Sequence, residues 1–326
     1  MASQKDKASW IGWSKTHPVL CVGTEKGSLV FFNRKSQRRI PCISKHGKTV
    51  TYGDWHNGGH LITCSEDKLL TISDDKGDTL QDSFIVKGTP SQIRWSPNSQ
   101  QRICTAIIGD KHIVHVDADT LKNTMISFSP QYGKVTTYKW FTDQFLVVGH
   151  STGVVTLISL NPNEIGMEKN SINAGSVPIE CISVNADVQK LCVGAMGSVK
   201  FFSLEDWSEI VTERLEITQN AGKINDIHWT PDGSIMTLST SGGYFFGFLT
   251  VIPCLYSAFD NFAGLLSSLT EISVVDCARQ NMLVSKTDLD IEPQFLTMGP
   301  LHFAVGANNN IWYYRWRTDY GEITSL

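Results

Sequence analysis

Five tryptophans fall into one register: Trp13, Trp55, Trp95, Trp140 and Trp229 each close a short β-rich run, and each is followed by a polar turn and a second apolar run. The first four stand 42, 40 and 45 residues apart. The next step of 89 residues is nearly double, and Val184 in ECISVNADVQKLCVG stands at its midpoint. A period of about 43 residues is that of a small four-stranded sheet repeated around an axis, and it leaves no room for crossover helices. Each unit repeats one grammar. In the second, TYGDW, HNGGH, LITCS, the turn EDK and LLTIS match NDIHW, TPDGS, IMTLS, the turn TSGG and YFFGFL in the sixth. Short runs of Val, Ile, Leu, Thr and Phe split by Gly- and Asp-bearing turns read as antiparallel strands. The chain is therefore expected to be all-β, a β-propeller of four-stranded antiparallel blades. Six repeats are clear over residues 1–258, and residues 259–326 are either a divergent closing blade or the opening of a second propeller. The repeated tryptophans, Trp229 included, are expected to face inward and bury against a neighbouring sheet. In the tail, Trp312 and Tyr314 share one strand face and Tyr313 takes the other, and both faces are expected to be covered.

Composition narrows the function classes. Lys plus Arg number 28 and Asp plus Glu 32, a formal net charge of −4 with a pI near 6.1, so the chain lacks the basic signature of a nucleic-acid binder. The eight cysteines form no C-x-x-C pair and mostly lie inside apolar runs, which reads as reduced thiols in a reducing compartment. The start, MASQKDKASW, has no apolar h-region of a secretory leader. No residue between Asp232 and Asp260 is charged, yet the core YFFGFLTVIPCLY is shorter than the ~20 apolar residues of a membrane span. Buried strands, no membrane span and a cytosolic chain are expected.

Candidate chemistry is sparse. His56 and His60 flank a Gly-Gly turn, but a metal site needs three or four convergent ligands, so a solvated turn is expected. His112 and His115, three apart on a strand, face opposite ways. GTEKGS at 23–28 lacks the Gly-Lys-Ser/Thr ending of a phosphate loop and joins two strands. No nucleophile motif occurs, so no catalytic residue, cofactor or metal is assigned. The densest basic cluster is Arg34, Lys35, Arg38 and Arg39 in FFNRKSQRRIP, at the turn between the third and fourth strands of the first repeat. These four residues are the candidate partner-binding surface, for an acidic protein or a lipid phosphate.

The repeat pattern resembles the WD-repeat family, with departures. The Trp-Asp dipeptide is absent, the nearest match to the family's Gly-His pair is His46-Gly47 in reversed order, and Asp67 in SEDK holds the usual acidic turn position. The family's buried polar tetrad is not expected in most blades. KGSLVFFNRKSQRRIP (26–41), KHGKTVTYGDW (45–55), EDKLLTIS (66–73), LLSSLTEISV (265–274) and DIEPQFLTMGPLHFAVGANNNIWYY (290–314) further resemble WD-repeat subunits of intraflagellar transport complex A. That resemblance implies a noncatalytic scaffold in retrograde ciliary transport and ciliary entry of membrane-protein cargo. Its implied partners are other subunits of that complex and ciliary cargo adaptors, with no nucleic acid, and its implied location is the cytoplasm, cilium and ciliary base, close to but not spanning a membrane. Such subunits carry two propellers and a long helical region that this chain lacks, so the chain reads as a fragment or short form. The alternative is a propeller module that binds a phosphoinositide or small ligand through its basic surface.

Overall fold

The computed structural model describes residues 6–42, 45–81, 83–98, 100–217, 219–230, 232–250 and 254–316. Among them are strands, turns and short 3-10 turns, and no α-helix. The fold is an all-β propeller. Two compact units divide the chain, one of residues 1–229 and 237–246, the other of residues 230–236 and 247–326.

In the first unit every described sheet is an antiparallel meander, with strand order in space equal to order in sequence. We number these sheets as blades one to six. Their first strands are Ala8–Trp13, Val50–Trp55, Pro90–Trp95, Val135–Trp140, Cys181–Asn185 and Ile224–Trp229. Neighbouring first strands touch: Val50–Trp55 meets both Ala8–Trp13 and Pro90–Trp95, and Cys181–Asn185 meets both Val135–Trp140 and Ile224–Trp229. Second strands are covered on both faces by adjacent sheets. Leu61–Ser65 is buried throughout, and Ile103–Ile108 and Phe145–His150 are buried apart from their first residues. Two-sided burial explains why LITCS and FLVVGH read as unbroken apolar runs instead of alternating ones. Fourth strands such as Arg38–Cys42 and Lys122–Ser127 are exposed edges.

The tryptophan register shows how one blade grips the next. Trp55 is 1% exposed, and its Nε1 donates to the Gly12 carbonyl at 3.1 Å. Trp95 is 3% exposed and donates likewise to the Asp54 carbonyl at 3.0 Å, while its backbone N–H donates to Asp54 Oδ2 at 2.8 Å. Each indole thus reaches the penultimate residue of the preceding first strand. At the midpoint position, Val184 packs with Val147, Ile182 and Leu191.

The register holds less well elsewhere. Trp140 and Trp229 are only half-buried, and the shielded Trp140 Nε1 has no partner among the described residues. Trp229 sets its ring edge-on to Phe201 at 6.3 Å. Trp13, expected to be inward, is 53% exposed, with no indole hydrogen bond to another blade among the described residues. Trp10 is the packed ring of blade one instead. It lies where the strands come closest, and a Cβ on Gly53 would sit 2.9 Å from its Cη2.

Three further expectations need correction. The uncharged stretch includes the strand Phe245–Leu249, but Phe245 is 73% exposed, on the outermost strand of a sheet with three described strands. Residues 251–253 of that stretch lie outside the described residues. All eight cysteines are unpaired, yet Cys254 and Cys277 are exposed instead of buried in strands. Burial pushes the Cys64 thiol up to about 11 and Cys181 to about 12, so both stay protonated and inert at neutral pH. Among the described residues no helix is long and apolar enough to cross a membrane.

The second unit holds a four-stranded sheet over Tyr256–Asp288 and a three-stranded sheet over Phe295–Arg315. Ile272, Val274, Phe303 and Val305 pack around Trp316, whose Nε1 donates to the Gly299 carbonyl at 3.0 Å. Trp312 and Tyr314 do share the covered face, but Tyr313 is exposed on the other. The alternation is as expected and the two-sided burial is not.

Removing a locked indole should cost far more than removing an exposed one. Trp55→Ala should destabilise the chain by about 3–5 kcal/mol, and Trp13→Ala by no more than about 0.5 kcal/mol, in urea melts monitored by far-UV circular dichroism. Equal losses would contradict the packing described.

Candidate interaction surface

The basic cluster sits on one hairpin of blade one. The strand Leu29–Asn33 runs into the turn Arg34-Lys35-Ser36-Gln37 and returns as Arg38–Cys42, with Asn33 opposite Arg38 and Phe32 opposite Arg39. The sequence builds this turn locally. Asn33 Oδ1 accepts from the backbone N–H groups of Lys35 and Ser36, both at 3.0 Å, an Asx-type closure. Gln37 adopts φ of 55° and its side-chain amide donates to the Arg34 carbonyl at 2.7 Å. The turn is thus held while its cations stay free to reach outward.

Arg34, Lys35, Arg38 and Arg39 are all exposed. Among the described residues no carboxylate pairs with Arg34, Lys35 or Arg38. The structure brings the four onto one element but does not aim them together. Arg34 and Lys35 occupy the tip, whereas Arg38 and Arg39 alternate to opposite faces of the edge strand. Ile40, on the same face as Arg38, is 39% exposed and adds an apolar contact beside the charges.

The histidines have structural partners. His46, just before the first strand of blade two, is 4% exposed. Its Nδ1 donates to Asp67 Oδ2 at 3.3 Å, and its Nε2 lies 2.9 Å from Thr63 Oγ1 and 3.1 Å from Thr71 Oγ1. Asp67 Oδ2 also accepts from the Gly47 N–H at 2.8 Å, and Oδ1 from the Leu69 N–H at 3.0 Å. Blade two therefore forms a buried four-residue polar network despite the reversed His-Gly order, which matters less than the loop that delivers the ring. His56 is not a solvated turn residue. It is 3% exposed, stacked on His60 at 6.1 Å and set edge-on to Trp95 at 5.1 Å. Among the described residues no group of His, Cys, Asp or Glu is arranged to hold a metal.

A second set of charged residues was missed in the sequence. Asp54, Arg94, Lys139 and His228 each directly precede a register tryptophan, so the same period one step back would have found them. Lying on first strands, Asp54, Arg94 and Lys139 form ion pairs or hydrogen bonds between blades, and His228 pairs within its own strand. Arg94 lies over the Tyr52 ring, 5.5 Å from its centre, and donates to the Tyr52 hydroxyl at 3.3 Å. Lys139 meets Asp226 at 3.2 Å, and His228 meets the same carboxylate at 3.0 Å. Burial would raise the Asp226 carboxyl, but the bond from His228 and the charge on Lys139 hold it well below the usual carboxylate range.

Comparison with known proteins follows the same division of the chain. The WDR19 first β-propeller family matches residues 2–243, and the WDR19 second β-propeller family matches residues 263–324. The chain is 29% identical to mouse WD repeat-containing protein 19 over 318 residues, which cover 95% of this chain and 24% of the mouse protein. It is 27% identical to WD repeat-containing protein dyf-2 of Caenorhabditis elegans, over 97% of this chain and 23% of that one. The chain thus spans about a quarter of the length of these curated relatives. Among solved structures it resembles the β-propeller domain of Myceliophteria thermophila Cps50 (Swd1), with a TM-score of 0.59 at 14% identity, covering 95% of this chain and 97% of that domain. It also resembles the computationally designed Ika8 protein, with a TM-score of 0.61 at 14% identity, covering 96% and 98% of the two chains. At that identity the structural likeness speaks for the fold alone.

The polar network of blade two predicts an acid response. Burial holds His46 below its ordinary value of 6.5. An unfolded His46 gains a proton as the pH falls through that value and the folded one does not, so stability is lost downward from there. At Asp67, burial raises the carboxyl, but the Gly47 and Leu69 N–H bonds outweigh it and hold the group below 3.8. Its contribution is lost at still lower pH, in the same direction. Urea titrations at about pH 7 and about pH 5 should show wild-type stability falling, and His46→Asn, weaker at neutral pH, falling less steeply. Parallel slopes would speak against a neutral buried imidazole.

Proposed function

Because the chain belongs to the family of WDR19 first β-propellers, we propose that it works as a noncatalytic interaction scaffold of intraflagellar transport complex A, in retrograde ciliary transport and the ciliary entry of membrane-protein cargo. The family match across most of the chain is the observation that carries this reading. Its partners are then other subunits of that complex and ciliary cargo adaptors, met in the cytoplasm, at the ciliary base and in the cilium. The match of residues 263–324 to a second propeller supports reading 259–326 as the opening of that second module. Histidines and carboxylates tied into structural hydrogen bonds support a noncatalytic role.

The hairpin of Arg34, Lys35, Arg38 and Arg39 is the partner surface in this proposal. Arg34, Lys35 and Arg38, exposed and without a carboxylate partner among the described residues, can pair across an interface, where charge sets encounter rate and specificity more than raw affinity. The same cations also favour a second reading, a phosphoinositide headgroup at the hairpin tip, because Arg34 and Lys35 lie next to each other there.

One double variant separates the two readings. Arg34→Glu with Arg38→Glu should leave stability within about 0.5 kcal/mol of wild type, since both residues are solvated. In pull-downs from ciliated cells it should recover less of the complex, with a weaker dependence on salt. Undiminished recovery would remove the hairpin from the interface. Loss of flotation with phosphoinositide vesicles, alongside unchanged recovery of the complex, would favour the lipid reading.

A further inference from the structure

Blades two and three are unequal at their outer edges. The fourth strand of blade two is only Phe84–Ile85, whereas that of blade three runs six residues, Lys122–Ser127. Beside Ile85 part of the facing side of blade three stays open. There, Val114 stands opposite Met125 in the sheet register, and a groove of about 620 Å³ opens beside them. Ile108 and Val114 are buried at its floor, while Ile85 is 80% exposed and Met125 38% exposed on its walls.

The rim has one sign of charge. Lys87, Lys111 and His112 line the groove, and no carboxylate does among the described residues. Neither lysine has an ion-pair partner among the described residues. The nearest acid in sequence, Asp110, faces Lys134 at 3.7 Å. Strand Lys122–Ser127 also ends its sheet, so alternate backbone N–H and C=O groups lack a ladder partner. An apolar floor, a cationic rim and an open strand edge together fit an extended chain better than a compact ligand, and the volume suits a few side chains.

We propose that this groove seats an extended segment of a partner protein, carrying an apolar anchor flanked by carboxylates. It is a second docking surface, on a different blade pair from the basic hairpin, and it does not depend on the hairpin reading. The anchor fills the space over Val114 between Ile85 and Met125, and its flanking carboxylates meet Lys87 and Lys111.

The test is selection from a phage library of random dodecapeptides on the immobilised full chain, followed by fluorescence anisotropy of the enriched peptide. Enriched sequences should have an apolar centre with Asp or Glu on both sides. Lys87→Glu with Lys111→Glu should weaken the peptide about tenfold or more, and Arg34→Glu with Arg38→Glu should change it by less than about twofold. Met125→Asp should weaken it as well, while circular dichroism shows each variant folded. A selection that enriches nothing would overturn the proposal, as would a peptide indifferent to Lys87 and Lys111. Binding to phosphatidylserine vesicles that the lysine variant abolishes, with no peptide bound, would overturn it in favour of an anionic lipid.

Discussion

The structure depends on an indole that reaches backward. Trp55 and Trp95 each close the first strand of a blade and donate to a backbone carbonyl of the strand before, at Gly12 and at Asp54. The ring buries a large apolar area, and its N–H, which burial would otherwise leave unsatisfied, finds a carbonyl of the neighbouring blade. With first strands fixed side by side, second strands fall between two neighbours and become the most buried parts of the chain. Fourth strands are left as solvated edges. The surfaces proposed for partners, the basic hairpin and the groove beside Lys122–Ser127, both lie on those edges.

Much of this was legible in the residues, for physical reasons that also mark where legibility stops. The 43-residue rhythm and unbroken apolar runs such as LITCS report two-sided burial directly, so the strands and their order could be read. Burial of a particular ring could not, because it requires a neighbour that periodicity alone does not supply. Trp13 and Trp55 occupy equal positions in the repeat, yet Trp55 is buried against the strand of Gly12 and Trp13 is 53% exposed. Tyr313 and Phe245 fail alike: alternation assigns their face but not what lies opposite it. The network at His46 was obscured because sequence comparison weighs residue order. The chemistry requires only an imidazole between a carboxylate and two hydroxyls, and Asp67, Thr63 and Thr71 provide them.

The distribution of charge agrees with a scaffold. Inside, Lys139 pairs with Asp226 and Arg94 lies against the Tyr52 ring. Outside, the cations of the hairpin tip and of the groove rim have no carboxylate partner among the described residues. In a chain of nearly balanced charge, these positive groups are places where another protein can supply the opposite sign.

Indole hydrogen exchange tests the blade-to-blade lock most directly. With the nine Nε1–H resonances assigned by single Trp→Phe variants, Trp55 and Trp95 should be among the slowest to exchange, because each proton is buried and bonded across blades. Trp13 should exchange at once. If Trp55 and Trp95 exchanged as fast as Trp13, the indoles would not join the blades, and the account built on them would be wrong.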